Sequence, residues 1–194
     1  REEAERLVFM KSLHSLGIAT AEQVSRHYMP LGIRDVSHTA HELMESEMIV
    51  PVEVTDLKIS RKRNWYISAK EVSILDRIDK EWKPGAVLLS PFDNLIIDRK
   101  RTQEIFDFDS RLEMYLPKPR RKYGFYTMPF LKGDKIIGRI DPKFDRSMRA
   151  LTINAIHDER KYLSKPAAKK LMFDAIDSLG DFLKASEVKK PSLQ

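Results

Sequence analysis

The sequence predicts an α+β chain in which a winged helix-turn-helix domain is followed by a second, winged-helix-like domain with an antiparallel sheet and a C-terminal helix. Three observations predict it. Three segments of helical period occupy residues 4–46 and lead into two short strand-like runs around a basic hairpin. From Lys122 to His157 the apolar spacing falls to two residues, the mark of half-buried strands. From Pro166 a long apolar stripe of helical period returns. The expected boundaries are residues 1–67 for the winged helix-turn-helix, 68–85 for a connecting helix, 86–185 for the second domain and 186–194 for a frayed tail.

In the first segment, Leu7, Met10 or Phe9, Leu13 and Leu16 recur at helical spacing, and Gly17 supplies the stop. Thr20 and Gln23 form a capping box ahead of Val24 and Tyr28, which predicts a short second helix. After a turn signalled by Pro30 and Gly32, Val36, Ala40, Leu43 and Met44 share one face of a third helix. Two strands, MIVPVEV and NWYIS, then flank the polar hairpin TDLKISRKR. The connecting helix should turn Val72, Leu75, Ile78 and Trp82 inward before Pro84 and Gly85 end it.

In the second domain AVLLS reads as a buried strand, and DRKRTQEIFDF as a helix capped by Asp98 with Ile105 and Phe106 inward. KYGFYTMPFL, KIIGRID and ALTINAIH are the predicted antiparallel strands, with KGDK as the first turn. Leu171, Met172, Ala175, Leu179, Phe182 and Leu183 make the stripe of the last helix, which should pack on that sheet.

Composition bounds the function. Apolar residues at 42% and charged residues at 33% are those of an ordinary globular protein, and no apolar run approaches the length of about 20 residues that crosses a bilayer. The absence of cysteine excludes disulfides and thiolate zinc sites. A cytoplasmic protein without a cofactor and without membrane contact is expected. The chain opens in helical rhythm without an initiator Met and is therefore expected to be a fragment. Its oligomeric state has no signature.

Net charge is +6 with a pI near 9.4, which favours a polyanionic partner through counterion release. The bases cluster at Arg61, Lys62 and Arg63, at Arg99, Lys100 and Arg101, and at Lys118, Arg120, Arg121 and Lys122. In helix-turn-helix modules the last helix enters the major groove while flanking parts grip phosphates. Here the third helix offers Arg34, Ser37, His38 and His41, and the hairpin adds Lys58, Arg61, Lys62 and Arg63. Duplex DNA is the expected partner, although winged helices also serve as protein-binding modules. His38 and His41 are too few for a metal site.

LLSPFDNLIIDRKR, residues 88–101, poses the sharpest question. Ser90 to Asp93 reads as a strand-ending turn in which Pro91 sets φ, Phe92 plugs the core and Asp93 accepts backbone N–H groups, with direct DNA contact by Ser90 or Asp93 as the alternative. Three cations opening a helix oppose its dipole, and a phosphate would offset that. Tyr123, Phe125 and Tyr126 could stack on exposed bases, but period two puts Tyr126 on the face opposite the other two, so part of the set belongs to the core.

With IFDFDSRLEMYLPKPRRKYGFYTMPFL and IIGRIDPKFDR, that stretch resembles the C-terminal half of the YcaQ/AlkZ family of winged-helix DNA glycosylases. Ser90-Pro91-Phe92-Asp93, Asp98-Arg99 with Arg101, Phe106 with Phe108, Glu113 with Tyr115, Arg121 with Tyr123 and Gly124, Pro129, and Gly138-Arg139 with Asp141 carry the match. The resemblance implies tandem winged helices that present a basic surface to duplex DNA, in a protein that hydrolyses the N-glycosidic bond of alkylated or crosslinked bases. It implies a Gln-aliphatic-Gln or Gln-aliphatic-Asp motif in a preceding winged helix as the catalytic element. The glutamines here, Gln23, Gln103 and Gln194, have neither Gln nor Asp two residues on. The expectation is therefore a DNA-binding C-terminal part of a repair glycosylase, with no catalytic residue of its own and with an N-terminal winged-helix module of the same parent chain as its partner. A winged-helix transcription regulator with a dimerising or ligand-sensing second domain is the alternative, and a self-sufficient enzyme using Asp93, Asp98, Glu113 or Asp141 is a third reading.

Overall fold

The computed structural model describes residues 1–27, 32–55, 63–159 and 161–191. It is mixed α+β and divides into two compact units, Arg1–Trp82 with Asn94–Asp107, and Lys83–Asp93 with Phe108–Gln194.

The first unit opens with α1 (Glu2–Leu16), which buries Phe9, Ser12, Leu13 and Leu16 and ends at Gly17 with φ 74. Leu7, expected inward, is 56% exposed. It stands two residues from Phe9, roughly 200° around the helix, so a stripe centred on Phe9 and Leu13 leaves it outside. A strand, β1 (Ile18–Thr20), leads to α2 (Ala21–His27) through the expected capping box. The Gln23 N–H donates to Thr20 Oγ1 and the Thr20 N–H to Gln23 Oε1, each at 3.3 Å.

In α3 (Val36–Glu45), Thr39, Ala40 and Leu43 are buried, and the Asp35 cap accepts from the His38 N–H at 2.9 Å. Strands β2 (Ile49–Val52) and β3 (Trp65–Ser68) complete an antiparallel sheet of order β1-β3-β2. Phe9, Leu13, Val24, Ala40, Leu43 and Ile49 form the core. Lys58, Arg61 and Lys62 of the expected hairpin, and Tyr28, lie outside the described residues.

Helix α4 (Val72–Glu81) differs from expectation in its burial. Leu75, Ile78 and Trp82 are each more than 40% exposed. Periodicity announces a helix but does not say what covers its stripe.

The second unit is built on a five-stranded sheet of order β4-β5-β6-β7-β8, comprising β4 (Ala86–Leu88), β5 (Met128–Lys132), β6 (Lys135–Asp145), β7 (Ala150–Asp158) and β8 (Glu187–Lys189). The pairings are antiparallel except β7 with β8, so the sheet is mixed rather than purely antiparallel. Strand β8 lies in the stretch expected to be a frayed tail. Val188 holds it there: a Cβ on Gly180 would sit 2.7 Å from Val188 Cγ2, so the bare glycine admits the valine. Helix α6 (Pro166–Phe182) covers the sheet with Ala168, Met172, Ile176 and Gly180 buried. Phe182, assigned to the stripe from sequence, is 82% exposed, again two residues off the buried line. Phe130, Ile137, Ile140, Leu151, Met172 and Ile176 make this core. Among the described residues no helix is long and apolar enough to cross a membrane.

Candidate nucleic-acid interface

The segment between β4 and β5 carries α5 (Arg99–Phe106), two short 3-10 turns at Glu113–Tyr115 and Lys118–Arg120, and then a loop to Met128. That loop was expected to be strand from Lys122 onward. It is not, because its N–H groups go to side chains instead of a neighbouring strand. Glu113, 3% exposed, accepts from the N–H groups of Tyr123 at 2.7 Å and Gly124 at 3.3 Å. Asp141, 7% exposed, accepts from Phe125 at 3.0 Å and Tyr126 at 3.2 Å, and from Asn154 Nδ2 at 3.2 Å. Two buried carboxylates thus hold four consecutive backbone amides. Gly124 makes this possible: its φ is 142, and a Cβ there would meet Asp141 Cγ at 2.2 Å.

Arg139 on β6 is buried beside this clamp. Its guanidinium carbon lies 4.0 Å from the Phe108 ring centroid and 3.9 Å from that of Tyr123. It pairs with Glu159 at 2.6 Å and donates to the Asp109 carbonyl at 3.2 Å. His157 Nε2 lies 3.0 Å from the Tyr123 carbonyl, which marks that nitrogen as the protonated one. Its ring meets the Tyr123 ring edge-on at 5.2 Å. Charge, stacking and hydrogen bonds therefore all fix Tyr123.

Lys118, Arg120 and Lys122 are exposed just ahead of the clamped amides. Arg121 Nε donates to the Leu116 carbonyl at 2.8 Å, and its guanidinium carbon stands 4.8 Å from the Phe125 centroid. Lys122 Nζ is 4.8 Å from the Tyr123 ring centroid, and a hydrogen bond to the Tyr123 hydroxyl raises the lysine above its usual range. The upstream Ser90 to Asp93 stretch is a turn, as read from sequence: the Phe92 N–H donates to Ser90 Oγ at 3.2 Å and the Asp93 N–H to the Ser90 carbonyl at 2.9 Å. Phe92 does not plug the core. It is 49% exposed and lies tilted against Tyr126, whose hydroxyl sits 3.3 Å from Ser90 Oγ.

The predicted residues of the first unit separate into distinct environments. Arg99 and Lys100 are exposed at the start of α5, where Asp98 caps through the Lys100 and Arg101 N–H groups. Arg101, expected to face phosphate, is 2% exposed. Its Nη2 donates to the Leu16 carbonyl at 2.9 Å and its Nη1 approaches Gln23 Oε1 at 3.5 Å, while burial lowers its proton affinity. Together with Thr102 it forms the inward face of α5, in place of the expected Ile105 and Phe106. Gln23 Nε2 donates to Glu104 at 2.8 Å, Arg63 pairs with Glu104 at 2.9 Å, and Arg26 pairs with Asp98 at 2.8 Å. The hairpin cation Arg63 is thus tied to an acid of α5.

On α3, Ser37, His38 and His41 are exposed as expected. Acids shadow the basic side chains: Arg34 lies 3.7 Å from Glu5, His38 3.5 Å from Glu42 and His41 3.5 Å from Glu45. Glu2, Glu3, Glu5, Asp35 and Glu42 line a depression of about 470 Å³ alongside Arg1, Arg34 and His38. No group of three His, Asp or Glu side chains with metal-binding arrangement occurs among the described residues.

Reading the sequence missed the roles of Glu113 and Asp141 as loop anchors. A signal existed, since Glu113 stands five residues ahead of the Lys118–Lys122 run and Asp141 lies between Arg139 and Lys143 on β6. No solved structure matches the chain. The family description "DNA glycosylase AlkZ-like" matches residues 1–182. The loop-clamping carboxylates, the stacked Arg139 and the capping Asp98 are among the residues that carry the resemblance to that family, and with nearly the whole length matched, the chain belongs to the AlkZ-like DNA glycosylase family.

Proposed function

We propose that this chain holds duplex DNA by its phosphate backbone in the service of a DNA glycosylase, with residues 1–67 acting as a winged helix and the unit built on the five-stranded sheet as a second grip. The observation that carries this reading is the Lys118–Lys122 segment, a run of cations that leads directly into a loop anchored by Glu113 and Asp141. A fixed loop loses little freedom on meeting a rigid polyanion. Lysine charges and arginine forks both suit phosphate oxygens.

Arg99 and Lys100 extend the grip at the start of α5, where phosphate would offset their conflict with the helix dipole. The helix order and the β1-β3-β2 sheet support the winged-helix reading, with Ser37, His38 and His41 toward the groove. The carboxylate partners of Arg34, His38 and His41 assign α3 to register more than to attraction. Lys58, Arg61, Lys62 and Arg63 complete the proposed hairpin contact.

Hydrolysis of a glycosidic bond needs a group that positions water or stabilises the developing sugar cation. Glu113 and Asp141 are committed to backbone N–H groups, and Asp98 to its helix and to Arg26. We assign these carboxylates to structure and no step of hydrolysis to this chain. Titrating a random-sequence duplex at increasing salt tests the grip. The expected log-log slope is roughly −0.9 per phosphate neutralised, with similar affinity for unrelated sequences. A flat salt response or strong preference for one site overturns the reading.

A further inference from the structure

Phe125 is exposed where the backbone around it is most firmly held. The N–H groups from Tyr123 to Tyr126 all go to buried carboxylates, yet the phenyl ring between them is 49% exposed. It is not a core residue that has slipped out, because the amides that fix its position are themselves fixed.

The two neighbouring tyrosines are already engaged. Tyr123 carries Arg139 and Lys122 against its ring and His157 at its edge, and Tyr126 meets Phe92 and Ser90. Of the three aromatics, Phe125 is the one presented to solvent. Beside it the Arg121 guanidinium stands 4.8 Å from the ring centroid, and the hydrogen bond from Arg121 Nε to Leu116 anchors that group too. Two flat groups, the ring held through its clamped backbone and the guanidinium through its own hydrogen bond, are thus displayed on a cationic segment.

We propose that the Phe125 ring, backed by the Arg121 guanidinium, is a stacking surface for a nucleobase that has left its pair in DNA. The inference rests on the DNA-holding function proposed above and names the feature of the DNA that this loop recognises. Every base has a π face, so stacking on an aromatic tolerates any sequence. A base within an intact duplex has both faces covered by its neighbours and offers none. The guanidinium adds a cation–π contact and lies within a segment suited to the adjoining phosphates. The surrounding cations, Arg120 and Lys122, favour an anionic strand over an apolar protein patch.

The test compares binding of the chain to a duplex with a single-nucleotide bulge and to the same duplex fully paired. The expected result is affinity for the bulge higher by roughly tenfold, within the range that aromatic–base stacking gives. Phe125→Leu should reduce that preference to near parity while leaving paired-duplex affinity and its salt slope unchanged. Phe125→Trp should keep the preference, and its added indole fluorescence should fall on binding the bulge. Preference surviving in Phe125→Leu, or absent from the parent chain while paired duplex still binds, overturns the inference and leaves the DNA-holding function standing. Failure to bind either duplex overturns both.

Discussion

The Arg139 guanidinium carbon lies 3.9 Å from the centroid of Tyr123 while the same guanidinium pairs with Glu159 at 2.6 Å, so one side chain joins the β6 strand to the loop that carries the cations. Arg139→Ala would remove both links and leave Glu159 without this partner. The expected cost is about 3 kcal/mol in denaturant unfolding. Arg139→Lys should recover only part of it, because an ammonium cannot stack as a plane and donate as a fork at once.

Gly124→Ala should destabilise the chain by about 2 kcal/mol or more, since the new Cβ would fall 2.2 Å from Asp141 Cγ at a φ of 142. Thermal melting reads it directly. Gly85→Ala is the control, with nothing within 4 Å of the added methyl.

The cationic residues should divide by burial. Replacing exposed Lys118 and Arg120 together by Ala should reduce the magnitude of the salt slope for duplex binding by about 1.8, at about 0.9 per lost phosphate contact, and leave the melting temperature near that of the parent. Arg101→Met should do the reverse. It strips the Leu16 carbonyl of its donor and should cost about 1 to 3 kcal/mol of stability with the slope unchanged.

Base release is the chemical check. The chain alone should release no 7-alkylguanine from duplex above the spontaneous background, because the buried Glu113 and Asp141 are held by the loop amides and the sequence has no Gln-aliphatic-Gln or Gln-aliphatic-Asp. Release that disappears in Asp141→Asn or Glu113→Gln would return these carboxylates to the reaction.

Acid should destabilise the fold in the carboxylate range. Hydrogen bonds from Thr20 to Glu22, from Arg6 to Glu42 and from Ser147 to Asp145 hold each of these acids below its ordinary value of 4.5 or 3.8. The unfolded chain then takes up protons first as pH falls. Their contribution is present in full above the ordinary values and is lost as pH drops through the depressed ones. Melting temperatures between pH 7 and pH 3 should show the decline, and a variant with Gln at 22 and 42 and Asn at 145 should flatten it.

Local chemistry was legible in the sequence. The Thr20–Gln23 capping box, the Asp98 cap, the helix-ending Gly17 and the long strands β6 and β7 each depend on residues a few positions apart. What escaped depends on distant partners. The loop before β5 mimicked a strand because its aromatics alternate, but its amides answer to Glu113 upstream and Asp141 downstream. Arg101 looked like the third member of a phosphate-binding run, although consecutive helical residues diverge by about 100° and one of three had to point elsewhere. Nothing near it in sequence announced Leu16 and Gln23 as its partners. Strand β8 escaped because a three-residue edge strand has no period to detect.

The chain leaves the first compact unit at Trp82, returns for residues 94–107, and leaves again at Phe108. This route constrains how the molecule can be recombined. Splicing a foreign domain onto residue 82 would delete α5, stranding the buried Gln23 amide without Glu104 and Arg26 without Asp98. Inheritance of these two units as interchangeable cassettes is thereby blocked at the most obvious seam. A swap that keeps both units intact must carry residues 94–107 along with the first, and that takes three junctions rather than one.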